Sequence, residues 1–251
     1  MPITDTITTQ WLKDRYLFGI DLTDDSGTSY PDGLYETAIN SAVATIEKEL
    51  DITLSLTTFT ERYDSNDSMY DSYMLMHLMR KPVREITKFE VQFGNFPATE
   101  IPLSWIHISN AIGGQIQVIP GQEGLGGALY GAATPFLGLS GVLGRPYTPQ
   151  WFKITYKAGY DGSTYAYPPE LLDAVGLIAA MLPLDTAGDL LIGAGVASKS
   201  ISMDGLSTSV NTTSSATNSG YGARIGTYAD RLKTLLDRIR RSYRVPQMFV
   251  L

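Results

Sequence analysis

The sequence predicts an α+β fold in which a β-rich module is inserted into a helical core. Apolar residues recur at three- and four-residue spacing over 32–50, as on one face of a helix. Over most of 54–158 they instead alternate with polar residues between Gly, Pro and Asn breaks, which is typical of strands. Helical spacing returns after Pro168. A chain that changes from helix to strand and back predicts a β module whose two ends both join helices.

The composition excludes several kinds of site. The chain has 251 residues, 43% of them hydrophobic, and no cysteine. This length is enough to bury a core, and without cysteine there can be no disulfide, thiolate metal site or Cys nucleophile. The N-terminus has no basic, apolar leader, and no stretch approaches the roughly 18–20 apolar residues that would span a bilayer. We therefore expect synthesis in the cytoplasm and no membrane partner.

The first segment, residues 1–52, is expected to form two N-terminal helices of the core. Residues 4–18 predict a short helix with Thr8 or Thr9 as its N-cap. Its large apolar side chains are expected to be buried: Trp11, Leu12, Tyr16 and Phe18. After a turn-rich acidic loop, a longer helix is predicted from Asp32 to Leu50.

The second segment, residues 53–160, is expected to be the inserted β-rich module. Strands are predicted at 54–62, 73–80, 83–94, 99–108, 114–119 and 151–158. The Gly-rich loop 121–150 is the longest break, yet it contains the apolar residues Leu129, Tyr130, Phe136 and Leu137. A loop of this length inside a compact domain is usually functional or disordered. These side chains indicate burial, against the domain itself or against a neighbouring subunit.

Helix resumes in the third segment, residues 161–197, which completes the core. Proline at 168 and 169 suits a first helical turn, and Pro183 is expected to interrupt the helix, with weak continuation to about Leu191. The polar segment 198–222 has little apolar surface to offset the entropy of ordering it. It is therefore predicted to be an extended or mobile linker.

The last segment, residues 223–251, predicts a basic amphipathic helix followed by an apolar tail. From Tyr221 onward there are seven Lys or Arg against two Asp, a net charge of +5, so the first 220 residues carry −12. Such an asymmetry indicates an interaction arm. The residues expected to contact a partner are Ile225, Leu232, Leu235, Leu236, Arg238, Ile239, Arg240, Arg241, Arg244, Met248, Phe249 and Leu251. Alternatively the helix packs its apolar stripe on its own domain and leaves a solvated basic face.

Groups that could perform catalysis are few. The two histidines, His77 and His107, lie in strand-like alternation and are interpreted as packed or half-exposed strand residues. The glycines near 121–144 match neither phosphate-binding pattern, G-x-x-x-x-G-K-[ST] or G-x-G-x-x-G. The sequence therefore predicts no enzyme activity, no catalytic residue, no cofactor and no metal.

Three short motifs occur in a recognisable order. They are KPVREI at 81–86, ITYKAGY at 154–160 and PPEL at 168–171. In this order they resemble the head-tail connector (adaptor) proteins of tailed bacteriophages, and the resemblance spans roughly residues 5–190. It implies a helical connector core and a structural subunit of the virion neck, assembled in the host cytoplasm.

The resemblance also implies a function and partners. The chain would form a ring of copies, twelve-fold to match the portal, that completes the DNA-filled head and docks a downstream neck or tail protein. DNA would pass through the ring lumen without specific binding, and residues 223–251 would bind the portal protein. The alternative is a nucleic-acid-binding accessory protein whose basic C-terminal helix contacts phosphate.

Overall fold

The computed structural model describes residues 3–20, 22–23, 27–66, 74–92, 98–119, 147–192, 198–203, 206–211 and 221–243. The predicted α+β class is confirmed, since long helices and antiparallel sheets occupy different parts of the chain. Its internal contacts divide the chain into two units. The helical unit comprises Met1–Leu50 and Gly162–Ser242, and the β unit comprises Asp51–Asp161 and Tyr243–Leu251.

The described helices begin close to their predicted positions. They are α1 (Ile3–Thr6), α2 (Thr9–Tyr16), α3 (Asp32–Leu50), α4 (Pro169–Ile192) and α5 (Gly222–Tyr243). The predicted cap is observed at the start of α2, where the Thr8 hydroxyl oxygen accepts a 3.2 Å hydrogen bond from the Trp11 amide. Phe18 differs from the prediction, because its side chain is 79% exposed. The helix ends at Tyr16, so Phe18 no longer follows the buried stripe.

The core of the helical unit lies where α3 packs against α4. Its fully buried side chains come from both helices, among them Tyr35, Ile46, Leu171, Val175 and Leu184. At the start of α4 the Pro168 carbonyl accepts a 3.0 Å hydrogen bond from the Leu171 amide, which is the first-turn role expected of this segment.

Helix α4 continues through Pro183, where the sequence predicted an interruption. Ala180 and Leu184 on either side of the proline are fully buried, so packing on both sides outweighs the lost backbone hydrogen bond. Its stretch Pro169–Gly188 is long and apolar enough to cross a bilayer, which the sequence expectation did not recognise. However, 61% of the most apolar window is buried inside the fold, as in the core helix of a globular protein.

The segment predicted to be an extended or mobile linker contains an antiparallel hairpin. Strands β8 (Ser198–Met203) and β9 (Leu206–Asn211) pair from Ser198 opposite Asn211 to Met203 opposite Leu206. The sequence between them is Asp-Gly, a dipeptide typical of two-residue hairpin connections. The sequence prediction relied on the low apolar content of the segment and did not use the Asp-Gly turn signal.

The β unit contains two antiparallel sheets. Its strands are β1 (Thr57–Asn66), β2 (Met76–His77), β3 (Val83–Val91), β4 (Thr99–Glu100), β5 (Ile106–Asn110), β6 (Gln115–Val118) and β7 (Tyr147–Ala158). One sheet has the order β1-β7-β3-β4 and the other β2-β6-β5. Residues from both sheets form a single apolar cluster, including Phe89, Ile116, Phe152, Ile154 and Tyr156. The predicted strand 99–108 is divided by a 3-10 turn at Leu103–Trp105.

Candidate partner-binding surface

Helix α5 is the candidate partner-binding element, and the structure packs it on its own helical unit. Its sequence places apolar residues at three- and four-residue spacing, so they share one face. On that face Ile239 is only 2% exposed, and Ile225, Leu232, Leu235 and Leu236 are half-buried. The stripe thus covers part of the helical unit, as in the alternative that the sequence left open.

The N-terminal half of α5 is attached to the end of α2 by hydrogen bonds. Arg224 Nη2 donates to the Tyr16 carbonyl over 2.9 Å, and the Tyr228 hydroxyl donates to the same oxygen over 2.7 Å. The two donors also contact each other, because Arg224 Nε donates to the Tyr228 hydroxyl over 3.0 Å. A carbonyl at a helix C-terminus has no partner within its own helix and is partly negative. Arg224 and Tyr228 satisfy it.

Asp173 of α4 joins the middle of α5 to Tyr16. Its Oδ1 accepts a 2.6 Å hydrogen bond from the Tyr16 hydroxyl, and its Oδ2 forms a 2.8 Å ion pair with Arg231. Burial and the hydrogen bond to Asp173 raise the pKa of Tyr16 well above its ordinary value, so the hydroxyl keeps its proton and remains the donor. One carboxylate therefore links three helices.

Gly176 allows Tyr16 to reach this position. A Cβ atom at residue 176 would lie 2.4 Å from Tyr16 Cε2, well inside contact distance. The aromatic ring of Tyr16 therefore occupies the space that a side chain at position 176 would fill. Tyr16 also meets the Tyr228 ring edge-on, with 6.2 Å between the centroids.

The C-terminal half of α5 is attached to the end of α3. Arg240 forms an ion pair with Glu49 and a 3.5 Å contact with Asp237 on its own helix. Exposed ion pairs typically contribute about 0–1 kcal/mol each, whereas burial of an isoleucine contributes roughly 1.5–3 kcal/mol. Ile239 is therefore expected to contribute more to the docking of α5 than Arg240 does.

Three exposed cations of α5 have no ion pair within the described part of the chain. Lys233, Arg238 and Arg241 lie on the outward face and form no ion pair with any residue that the structure describes. Arg224, Arg231 and Arg240 contact the helical unit instead. Three of the six basic residues of α5 thus bind the helical unit, and three remain unpaired among the described residues.

The predicted partner-binding residues fall into three groups. Ile239 is buried and Arg240 is paired within the helical unit, so neither is available while α5 stays docked. Ile225, Leu232, Leu235 and Leu236 are half-buried, and Arg238 and Arg241 are exposed. The others lie outside the described residues: Arg244, Met248, Phe249, Leu251 and the loop residues Leu129, Tyr130, Phe136 and Leu137.

The sequence did not predict which residues of the helical unit bind α5. Tyr16, Glu49 and Asp173 show no pattern of their own, and the contacts they form span 58 residues or more along the chain. The only usable signal was the charge asymmetry between the basic helix and the acidic remainder.

Two of the three recognised motifs contact each other in the β unit. The Gly159 amide donates a 3.0 Å hydrogen bond to the Pro82 carbonyl, and Arg84 Nε donates to the Gly159 carbonyl over 2.8 Å. The Arg84 guanidinium lies 4.5 Å from the centroid of the Tyr160 ring. Gly159 has a φ of 110°, and a Cβ there would lie 2.5 Å from the Ser55 carbonyl oxygen. These motif residues therefore form a junction between the start of β3 and the end of β7 within the β unit.

The histidines lie on strands, as predicted, and both are exposed. His77 pairs with Gln115 and His107 pairs with Gln117, on opposite sides of β6. Within the described ranges, no group of three or more His, Cys, Asp or Glu side chains is arranged to hold a metal ion.

Comparison with known proteins finds matches among solved structures only. No family model and no curated protein matches the chain. A chain from the virion of a native gene transfer agent particle is 14% identical, with a TM-score of 0.48, over 100% of this chain and 95% of that one. A chain from the neck of an empty particle, computed with C6 symmetry, is 18% identical, with a TM-score of 0.40, over 63% and 71%.

A third match is a chain from the neck of the native particle, computed with C12 symmetry. It is 18% identical, with a TM-score of 0.39, over 59% of this chain and 69% of that one. These particles are phage-like, as are the connectors that the sequence motifs resemble. At identities below 20% and TM-scores below 0.5, the similarity assigns this chain no partner and no activity.

Proposed function

We propose that this chain is a structural subunit of the neck of a tailed phage or phage-like particle. In this role it is a head-tail connector, or adaptor, that assembles with copies of itself into a ring beneath the portal. The ring completes the DNA-filled head and docks the next neck or tail protein. DNA passes through its lumen without specific binding, and the protein performs no catalysis.

The junction in the β unit is the observation that supports this proposal most directly. Two of the three motifs by which the sequence resembles connectors meet there through Pro82, Arg84, Gly159 and Tyr160. One motif contains the start of β3 and the other contains the end of β7, and these strands pair with Val83 opposite Ala158. The two motifs therefore belong to one local structure in this chain.

The proposed portal-binding element is the C-terminal arm, residues 223–251. Docked α5 keeps Ile239 and Arg240 on its own unit. The arm therefore depends mainly on Arg244, Met248, Phe249 and Leu251, which follow the helix in the sequence. Pro246 favours an extended path for them because proline disfavours helical continuation. Repeating a modest contact around a ring gives avidity without a strong single site.

The predicted Gly-rich loop 121–150, whose last four residues belong to strand β7, is proposed to contact a neighbouring subunit or the adjoining neck protein. Leu129, Tyr130, Phe136 and Leu137 give it an apolar content that monomers seldom leave open to solvent. Hydrogen exchange of this loop should slow when the protein assembles into particles. Equal exchange in monomer and particle would contradict the proposal.

Nucleic-acid binding is the less favoured function. Phosphate contacts require free cations, and among the described residues of α5 only Lys233, Arg238 and Arg241 are exposed without an ion pair, beside Asp230 and Asp237. Binding by so few cations should be weak and should fall steeply with salt concentration. Docking through an apolar tail should persist at the same salt concentration.

Removal of residues 246–251 tests the portal contact. The shortened chain should fold and should no longer co-purify with the portal protein, because the apolar end contributes most of the affinity. Phe249→Ala and Leu251→Ala should each weaken binding, whereas Gln247→Ala in the same tail should not. Unchanged binding by the truncated chain would show that the tail is not the anchor.

A further inference from the structure

We propose that the exposed cationic face of α5 is an interface between copies of this chain. It contacts the groove that α1, α2 and α3 form on the next copy. This inference identifies the residues through which copies contact each other. Only the statement that these contacts close into a ring rests on the function proposed above.

The cationic face consists of Lys233, Arg238 and Arg241. At 100° per residue, these positions fall within about 140° of the helix circumference, opposite the buried stripe. All three side chains are exposed, and none has an ion-pair partner in the described part of the chain. Two carboxylates share this side of the helix: Asp237, which contacts Arg240 at 3.5 Å, and the exposed Asp230. The unpaired charge on the face is therefore mainly positive.

The receiving surface is a groove of about 480 Å³ in the helical unit. Ile7 and Ile39 are buried residues in its lining, and Gln10 and Asn40 are exposed polar ones. Two exposed carboxylates also line it, Asp5 after the start of α1 and Glu36 on the first turns of α3. Neither carboxylate forms an ion pair with another described residue. The groove thus combines negative charge with hydrogen-bonding side chains.

Charge complementarity identifies a second copy as the occupant. Residues 1–50 and 162–221 contain fourteen acidic and four basic residues, a net charge of −10, whereas 222–243 carries +4. Arg231 and Arg240 of α5 already neutralise acidic positions of their own unit at Asp173 and Glu49. The outer cations lack such a partner, and each further copy brings the same acidic surface.

The two surfaces occupy different places on one subunit. The α5 of each chain contacts α3 at Glu49, whereas the groove contains Glu36, thirteen residues earlier on the same helix. At 1.5 Å per residue the two positions are about 20 Å apart. A contact between two different complementary surfaces is head-to-tail, and head-to-tail contacts form rings when the rotation closes. Thus one helix face and one groove per subunit suffice for a ring.

Charge reversal tests this interface in the full-length protein. Lys233→Glu with Arg241→Glu reverses the helix face, and Asp5→Lys with Glu36→Lys reverses the groove. Each double variant should weaken self-association by more than about tenfold in sedimentation velocity, because like charges then face each other. An equimolar mixture of the two should recover association, since every contact in an alternating ring again joins opposite charges. Lys48→Glu, at an exposed cation elsewhere on α3, should associate like the wild type.

Several outcomes would overturn the interface. They are a mixture that fails to recover association, a wild-type protein that stays monomeric at all concentrations, and reversed helix variants that self-associate normally but lose portal binding. The last outcome would assign the cationic face to the portal. If a reversed variant fails to fold by circular dichroism, Lys233→Gln with Arg241→Gln provides the same comparison without new charges. The two proposals can fail separately. If self-association requires these residues but the protein is absent from the necks of particles, the interface is supported and only the proposed function is contradicted.

Discussion

Arg231 of α5 and Asp173 of α4 form a 2.8 Å ion pair, 58 residues apart in the sequence. The same carboxylate accepts the Tyr16 hydroxyl at 2.6 Å, so one side chain joins α2, α4 and α5. A basic C-terminal helix that looks like a free arm in the sequence is therefore attached to the acidic unit that precedes it. While α5 stays docked, a partner can reach only the outer face of this helix.

Asp173→Ala should loosen α5 without unfolding the helical unit. The change removes the ion pair with Arg231 and leaves the Tyr16 hydroxyl without its acceptor, so we expect a loss of about 1–2 kcal/mol in the free energy of unfolding. Hydrogen exchange should accelerate in Gly222–Tyr243 more than in α3. Asp185→Ala provides the control, because Asp185 is exposed on the same helix. Equal exchange in α5 of both variants would show that Asp173 does not hold it.

Gly176→Ala should destabilise the helical unit although alanine favours helix. The new Cβ would lie 2.4 Å from Tyr16 Cε2, and overpacking of this kind typically costs about 1–3 kcal/mol. Gly226→Ala on α5 meets no atom within 4 Å, so it should instead stabilise by up to about 1 kcal/mol. Urea unfolding measures both. If the ring of Tyr16 causes the penalty, the cost of Gly176→Ala should fall in a Tyr16→Leu background.

Gly159→Ala should be among the most damaging changes in the β unit. The residue has φ of 110°, and a Cβ would approach the Ser55 carbonyl oxygen to 2.5 Å. Backbone strain and overpacking together should cost about 2–5 kcal/mol in thermal or urea unfolding. Gly19→Ala separates the two causes, because Gly19 also has positive φ, 75°, but open space around it. Similar losses at both positions would show that close approach to Ser55 adds nothing.

Asp64 should make the stability of the β unit depend on pH. The hydrogen bond from the Tyr147 hydroxyl, and then that from the Gln150 amide, lower the pKa of this carboxyl below its ordinary 3.8. Because the folded-state pKa is the lower one, the stabilisation is complete above the ordinary value and is lost as pH falls through the folded-state pKa. Unfolding curves between pH 2 and 7 should therefore show a smaller acid-dependent loss for Asp64→Asn than for the wild type. Identical pH profiles would contradict this role of Asp64.

Local patterns determined most of the secondary structure. The helix predicted from Asp32 to Leu50 is observed with those bounds, and Thr8 caps α2 as expected, because periodicity and caps are properties of neighbouring residues. Residues 151–158 form a strand, as predicted, but this strand, β7, begins earlier, at Tyr147. The Gly-rich stretch before Tyr147 gave no local sign of where pairing with β1 begins.

The sequence alone determined the α+β class, the basic amphipathic helix and the acidic character of the rest, since each is set by composition and local spacing. Only the tertiary structure decided that α4 continues through Pro183, that Phe18 is exposed and that α5 docks through Tyr16, Asp173 and Glu49. Burial against distant helices outweighs a local helix breaker, and the partners of a charged helix can lie far away in the chain. The spacing of residues along the sequence does not show which helices pack together or which distant residues pair with the charges of α5.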